Sequence, residues 1–165
     1  MTIPYQPIGI IHSPFQTVEN MPIQPATATG SQGTVEVFAP FAAGLQDLDG
    51  FSHILLLYHL HRGAAARLSV VPFLDSQPRG LFATRAPCRP NPIGLSVVRL
   101  LSVDGPVLHI ENVDILDGTP LLDIKPYVPE FDSVRAERTG WFASARERMR
   151  DKQSDDRFID NEGAK

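Results

Sequence analysis

At 165 residues, 42% apolar and 21% charged, with a single cysteine and a formal charge of -4, the chain has room for one domain and at most a small appendage. One thiol excludes a disulfide framework and a four-thiolate zinc site, and the acidic balance argues against a general nucleic-acid binder. No apolar run approaches the roughly 20 residues that cross a bilayer. Residues 1–12 have neither a basic side chain nor a long apolar stretch, so no signal peptide is expected. The expectation is a soluble protein of a reducing cytoplasm.

Fifteen prolines, about 9% of the chain against a usual ~5%, are spread from Pro4 to Pro129. They break long elements into short ones, which favours an all-β or β-rich fold. In chain order, residues 7–12 predict a first strand ended by Ser13-Pro14. Residues 20–33 predict a Pro/Thr/Gly-rich loop, and the alternating, β-branched residues 33–38 a second strand. Residues 45–50 predict a polar turn. Residues 53–61 (HILLLYHLH) are nearly continuously apolar and predict a central strand. Further extended segments are predicted at 68–73 and 81–84. Residues 85–94 (RAPCRPNPIG), with three prolines in ten residues, fit neither helix nor paired strand. Residues 95–103 and 107–116 predict a hairpin about Asp104-Gly105-Pro106. Residues 117–120 make a turn, and residues 121–127 a last strand. Only residues 141–152 predict a helix, followed by a polar tail. The sum is six to eight strands with a short C-terminal helix, divided as residues 1–140 and 141–165.

Charge is unevenly placed. Residues 1–61 carry four acids and no Lys or Arg, whereas residues 62–103 carry six Arg against one Asp. The one basic block is therefore built of the side chain best suited to phosphate and carboxylate forks. A solvated surface is the plain alternative.

Several chemistries drop out. No two glycines are separated by a single residue, so there is no dinucleotide fingerprint, and neither G-x-x-x-x-G-K nor G-x-S-x-G occurs. His59 and His61 share a strand face and could bind a metal, but a third ligand is not evident and no metal is expected. Cys88, between Arg85 and Arg89, is a conceivable nucleophile that lacks an orienting partner. Two segments resist a purely structural account. The proline-stiffened loop holds Arg85, Arg89 and Asn91 at low entropic cost, as a recognition loop does. Residues 114–129 (DILDGTPLLDIKPYVP) crowd Asp114, Asp117, Asp123 and Lys125 around a tight turn.

The strings TRAPCRPNPIGLS, DILDGTPLLDIKPYVP, PIGIIHSPF, PIQP and GLQDLDGFSHILLLYHLH together resemble the TsaA-like (YaeB-like) family, over residues 5–140. That family includes tRNA threonylcarbamoyladenosine N6-methyltransferases. The resemblance implies a small closed or partly closed β-barrel, working as a homodimer, that binds S-adenosyl-L-methionine without a Rossmann fold, with tRNA as substrate and no membrane association. By position it assigns the cofactor to Gln24, Pro25, Ala26 and Thr27, to His61 and Arg62, to Arg85 and Leu95, and to Glu111, Asn112, Val113 and Asp114. Arg85 suits a fork on the methionine carboxylate. Backbone groups of Leu95 and Val113 suit the adenine edge, and Glu111 or Asp114 the ribose hydroxyls. Arg89 and Asn91 fall to the substrate, with Arg62, Arg67, Arg79 and Arg89 facing anticodon-loop phosphates. Asp117 is assigned as base, Lys125 as partner of the threonyl carboxylate and Tyr127 as the group stacking on the acceptor base. The chain departs from the family pattern at Ile23, Arg62 and Cys88. A cofactor-binding module without turnover, a methyltransferase with another acceptor and a metal-dependent hydrolase are the alternatives.

Overall fold

The computed structural model describes residues 2–19, 21, 28–145, 155 and 158. Among them lie strands β1 (Gly9–His12), β2 (Gln32–Val37), β3 (His53–His59), β4 (Ser69–Val70), β5 (Arg79–Gly80), β6 (Ile93–Asp104), β7 (Val107–Glu111) and β8 (Thr119–Pro126). One turn of helix, α1 (Pro129–Asp132), follows. Six strands close an antiparallel barrel in the order β1-β2-β7-β6-β3-β8, and β4 with β5 forms a separate ribbon. Closure removes the exposed sheet edges that an open sheet of this size would carry.

Period-two alternation builds the barrel. In β3, Ile54, Leu56 and Tyr58 turn inward and are almost fully buried, whereas His53, Leu55 and Leu57 face out. The strand is central, as its apolar run predicts: Leu56 is paired with Ser96 of β6 on one side and Ile124 of β8 on the other. The core is completed by Ile11, Val35, Val98, Leu108, Ile110 and Leu121. Each contributes about 1.5–3 kcal/mol relative to exposure. The predicted hairpin turns through Gly105-Pro106, with Asp104 paired to Val107 and Gly105 at φ 55°. Gly94 sits opposite Tyr58, and a Cβ there would overlap the phenol ring.

Three segments differ from expectation. The strand predicted at 68–73 shrinks to two residues, because Leu68 is exposed and Pro72 cannot donate to a ladder. Residues 81–83 form a 3-10 turn instead of an extended segment. This turn drives Leu81 into a second apolar cluster with Ala64, Val70, Ala86, Cys88 and Phe158, and leaves Phe82 75% exposed. The strand predicted to reach residue 116 stops at Glu111, where Asn112 adopts a left-handed conformation that Asn tolerates better than most side chains. Of the predicted C-terminal helix, residues 140–144 are a 3-10 turn, and residues 146–152 lie outside the described residues. Phe158 of the tail packs edge-to-face on Phe73 at 5.0 Å.

Candidate functional site

One mouth of the barrel opens into a cleft of about 390 Å³. Its floor is Tyr58 from β3, Gly94 from the start of β6 and Thr119 from the start of β8, with the outward-facing Ile93 and Leu95 at its rim. Its walls are Leu60–Gly63, the proline-loop residues Thr84, Arg85, Pro87 and Arg89, and Asp114–Leu116. Antiparallel pairing explains the convergence. The end of β3 is necessarily beside the start of β6 and the start of β8, so three irregular connections leave the barrel at the same rim.

A buried hydrogen-bond chain runs through the floor. The Ser96 hydroxyl donates to Asp114 Oδ1 at 2.7 Å, so Tyr58 Oη must be the donor in its 2.9 Å contact with Ser96 Oγ. Burial pushes the Asp114 carboxyl up from 3.8 to about 6, against the Ser96 bond and the Arg85 guanidinium, which favour the charged form. Burial, reinforced by the negative charge of Asp114, pushes the Tyr58 phenol well above its ordinary value and keeps it a donor. On the opposite wall, Thr119 gives its hydroxyl hydrogen to the Leu116 carbonyl at 2.7 Å. Its 3.3 Å contact with His61 Nδ1 therefore has the imidazole donating. Burial, helped by Arg62 and His59, lowers the His61 pKa, so the neutral Nδ1–H tautomer prevails and Nε2 is an acceptor. At neutral pH the cleft thus holds the Asp114 carboxyl, whose pKa burial has raised to about 6, a neutral His61 imidazole and the three guanidiniums of Arg62, Arg85 and Arg89.

The cleft collects His61, Arg62, Arg85, Arg89, Leu95 and Asp114 from the residues singled out in the sequence. Arg89 donates through Nη1 to the carbonyls of Thr84 and Ala86 at 3.1 and 3.4 Å, bracing the proline loop from within. Asn91 is exposed on the loop and its carbonyl accepts from Ile93. Val113 is fully buried, and both its amide and its carbonyl are engaged by Ser31. Asn112 Oδ1 accepts from the Gly30 amide at 2.9 Å, and Glu111 pairs with Arg99 at 3.3 Å. Asn112 and Val113 thereby tie the Ala28–Ser31 turn to the chain that delivers Asp114, whereas Glu111 is held to β6. Gln24, Pro25, Ala26 and Thr27 lie outside the described residues.

Asp117, Lys125 and Tyr127 are placed elsewhere. The Asp117 carboxylate is turned outward, accepting from the Ser13 amide at 3.1 Å and lying 3.4 Å from His12 Nδ1. Those donors, the Ser13 amide first, hold its pKa below the usual carboxylate range. Lys125 pairs with Asp123 at 2.8 Å, and Tyr127 stands edge-on to His53 at 6.4 Å. Both lie at the far end of β8, six or more residues from Thr119, about 20 Å along the strand. Cys88 is fully buried in the second apolar cluster and acts as packing. Among the described residues no three His, Cys, Asp or Glu side chains are grouped to hold a metal ion.

Tyr58, Ser96 and Thr119 carry the site's hydrogen bonds, yet sequence reasoning passes over them. Their one signal is an inward position in strands whose other inward residues are apolar.

Residues 10–133 match the family model of the tRNA-methyltransferase O N-terminal domain. The chain belongs to this family. It is 53% identical over 159 residues to a Pyrococcus abyssi protein described as a probable S-adenosyl-L-methionine-binding protein, covering 96% of this chain and 86% of that one. It is 36% identical over 140 residues to the tRNA (adenine(37)-N6)-methyltransferase of Escherichia coli, covering 79% of this chain and 60% of the relative. A solved structure of TrmO superposes with a TM-score of 0.73 at 44% identity, covering 85% of this chain and 64% of that one. TrmO from Pseudomonas aeruginosa gives 0.71 at 42% identity, covering 86% and 63%. The chain thus spans less than two thirds of the length of the solved TrmO chains. The barrel without a glycine-rich nucleotide loop is this family's fold.

Proposed function

We propose that the chain is an S-adenosyl-L-methionine-dependent methyltransferase acting on N6 of an adenine in tRNA, with threonylcarbamoyladenosine as acceptor. The observation that carries this reading is the opposed pair at the cleft, Arg85 within electrostatic reach of the half-buried Asp114. The cofactor has a carboxylate, an ammonium and a sulfonium. The Arg85 guanidinium and the Asp114 carboxylate, set with Leu60, Leu95, Ile115 and Leu116 in a cleft of about 390 Å³, match that charge pattern and size. Arg85 would hold the methionine carboxylate, Asp114 a cationic or hydroxyl group, and the rim at Leu95 and Leu60 the adenine. When bound, the cofactor supplies an electrophilic methyl group. The protein's own contribution is to position the acceptor nitrogen in line, exclude water with Leu60, Ile115 and Phe158, and accept the acceptor's proton. Carbamoylation makes that proton more acidic, so a modest base suffices. Asp114 and the Nε2 of His61 have protonation states matched to the task, and they line the cleft, whereas Asp117 does not.

The chain acts as a homodimer in the cytoplasm. Supporting this are Ile93 and Leu95, 40% and 50% exposed on the barrel's outer wall beside the cleft, apolar surface of the kind that partners cover. Light scattering of Leu95→Lys checks the dimer; a variant of unchanged mass excludes this wall as the interface. For the activity, the protein is incubated with labelled S-adenosyl-L-methionine and total tRNA, and the labelled nucleoside is identified. Methylated threonylcarbamoyladenosine together with release of S-adenosylhomocysteine is expected. Cofactor binding without release in any RNA preparation refutes turnover and leaves a binding module.

A further inference from the structure

Beside the cleft lies a second cavity, of about 600 Å³, whose lining includes Phe73, Phe82, Trp141 and Phe142. It shares Thr84, Arg85, Phe73 and Phe158 with the cleft, so the two adjoin. Phe82 is 75% exposed, an unusual position for a phenylalanine whose chain neighbour Leu81 is almost completely buried. The 3-10 turn forces this division by sending Leu81 inward and Phe82 outward.

Both of the cavity's outer rings carry a guanidinium. Arg89 lies 5.7 Å from the Phe82 ring centroid and Arg79 lies 6.0 Å from that of Trp141, at cation–π distance. Both arginines are hydrogen-bonded in place. Arg79 Nε is fixed by Asp75 at 2.8 Å and Arg89 Nη1 by the Thr84 and Ala86 carbonyls. The Trp141 indole is fixed by donating to the Ala83 carbonyl at 2.8 Å. The result is a set of aromatic faces flanked by two hydrogen-bonded cations, with Phe82, Arg79 and Arg89 inside the one basic segment of the chain and Trp141 brought to it from outside that segment.

We propose that Phe82, with Trp141 behind it, is a stacking platform for an unpaired base of the RNA loop that presents the acceptor. Stacking on exposed aromatics flanked by arginines is how single-stranded nucleic acid is held. Arg79 and Arg89 meet the phosphates on either side of the stacked base. Because the two cavities adjoin, one loop can reach both. This inference rests on the RNA reading above and adds a residue that grips the substrate rather than the cofactor.

The test compares binding of a 17-nucleotide anticodon stem-loop and of a blunt RNA duplex of equal length, by fluorescence anisotropy at fixed salt. The proteins are wild type, Phe82→Ala, Phe82→Leu and Phe82→Trp. Because Phe82 is exposed and outside the cleft, all should melt normally and bind S-adenosyl-L-methionine alike. Stem-loop affinity should fall about 5- to 100-fold in Phe82→Ala. It should fall comparably in Phe82→Leu, which is apolar without a π-face, and hold in Phe82→Trp, while the weak duplex binding is unmoved. Wild-type affinity in Phe82→Ala or Phe82→Leu, or an equal loss on stem-loop and duplex, overturns the platform and leaves the RNA reading standing. A wild-type protein that binds neither RNA overturns both.

Discussion

Asp114→Asn separates what the cleft does from what it costs. The change keeps shape and a hydrogen-bonding amide but removes the charge. In the native chain the carboxyl pKa is raised from 3.8 to about 6, with burial as the main cause. At about 1.4 kcal/mol per unit, keeping Asp114 ionised in the folded state costs about 3 kcal/mol. The sign follows from proton counting. Well below pH 3.8 the carboxyl is protonated in both states and the penalty is absent. As the pH rises through 6 the folded state must ionise it, and that stability is lost. The unfolding free energy of Asp114→Asn, measured by urea titration from pH 4 to 8, should therefore gain on that of wild type by up to about 3 kcal/mol. Nearly all of the gain should come between pH 4 and 7, since the other titrating groups cancel in the difference. Methyl transfer by the same variant should fall about 10²- to 10⁴-fold, as loss of a proton acceptor typically does. A difference in stability that stays flat with pH would show that Asp114 titrates as an ordinary surface acid, and the proposed polarity of the cleft would fall with it.

Arg85→Ala should weaken S-adenosyl-L-methionine binding by about 10- to 150-fold, the worth of a charge-assisted hydrogen bond of about 1.5–3 kcal/mol. Calorimetric titration checks it, and Arg85→Lys should recover only part, because an ammonium cannot fork. Asp117→Asn should keep methyl transfer near wild type, since its carboxylate faces Ser13 and His12 instead of the cleft. Its contribution to stability, held by a lowered pKa, is present at neutral pH and lost in acid as pH falls through that pKa; a large loss of turnover at pH 7.5 would return Asp117 to the mechanism. Gly94→Ala should cost about 1–3 kcal/mol as an overpacked core does, read as a lowered melting temperature, because its Cβ overlaps the Tyr58 ring. Cys88, fully buried, should resist Ellman's reagent in the native protein and react at once in urea.

Alternation, turn chemistry and composition are local, and they were sufficient for most of the fold. The inward set of β3, the hairpin at Gly105-Pro106 and the irregular proline loop are each dictated by a few adjacent residues. The motif strings, with the family resemblance they carry, pointed to Arg85, His61 and Asp114 as parts of one site. What the sequence could not decide is which way a loop carboxylate turns and which end of a strand faces the mouth of the barrel. Asp114 and Asp117 are three residues apart around one tight turn and look alike in the chain. Only barrel closure sends the first inward to Ser96 and leaves the second against Ser13, some hundred residues away in sequence. Lys125 shares β8 with the cleft residue Thr119 and Tyr127 directly follows it, yet the extended strand carries them about 20 Å away. Tyr58 and Ser96 read as ordinary strand positions until the pairing of β3 with β6 brings their hydroxyls together. Registers between distant strands are set by burial of the whole core at once, a sum over the barrel that no local window contains.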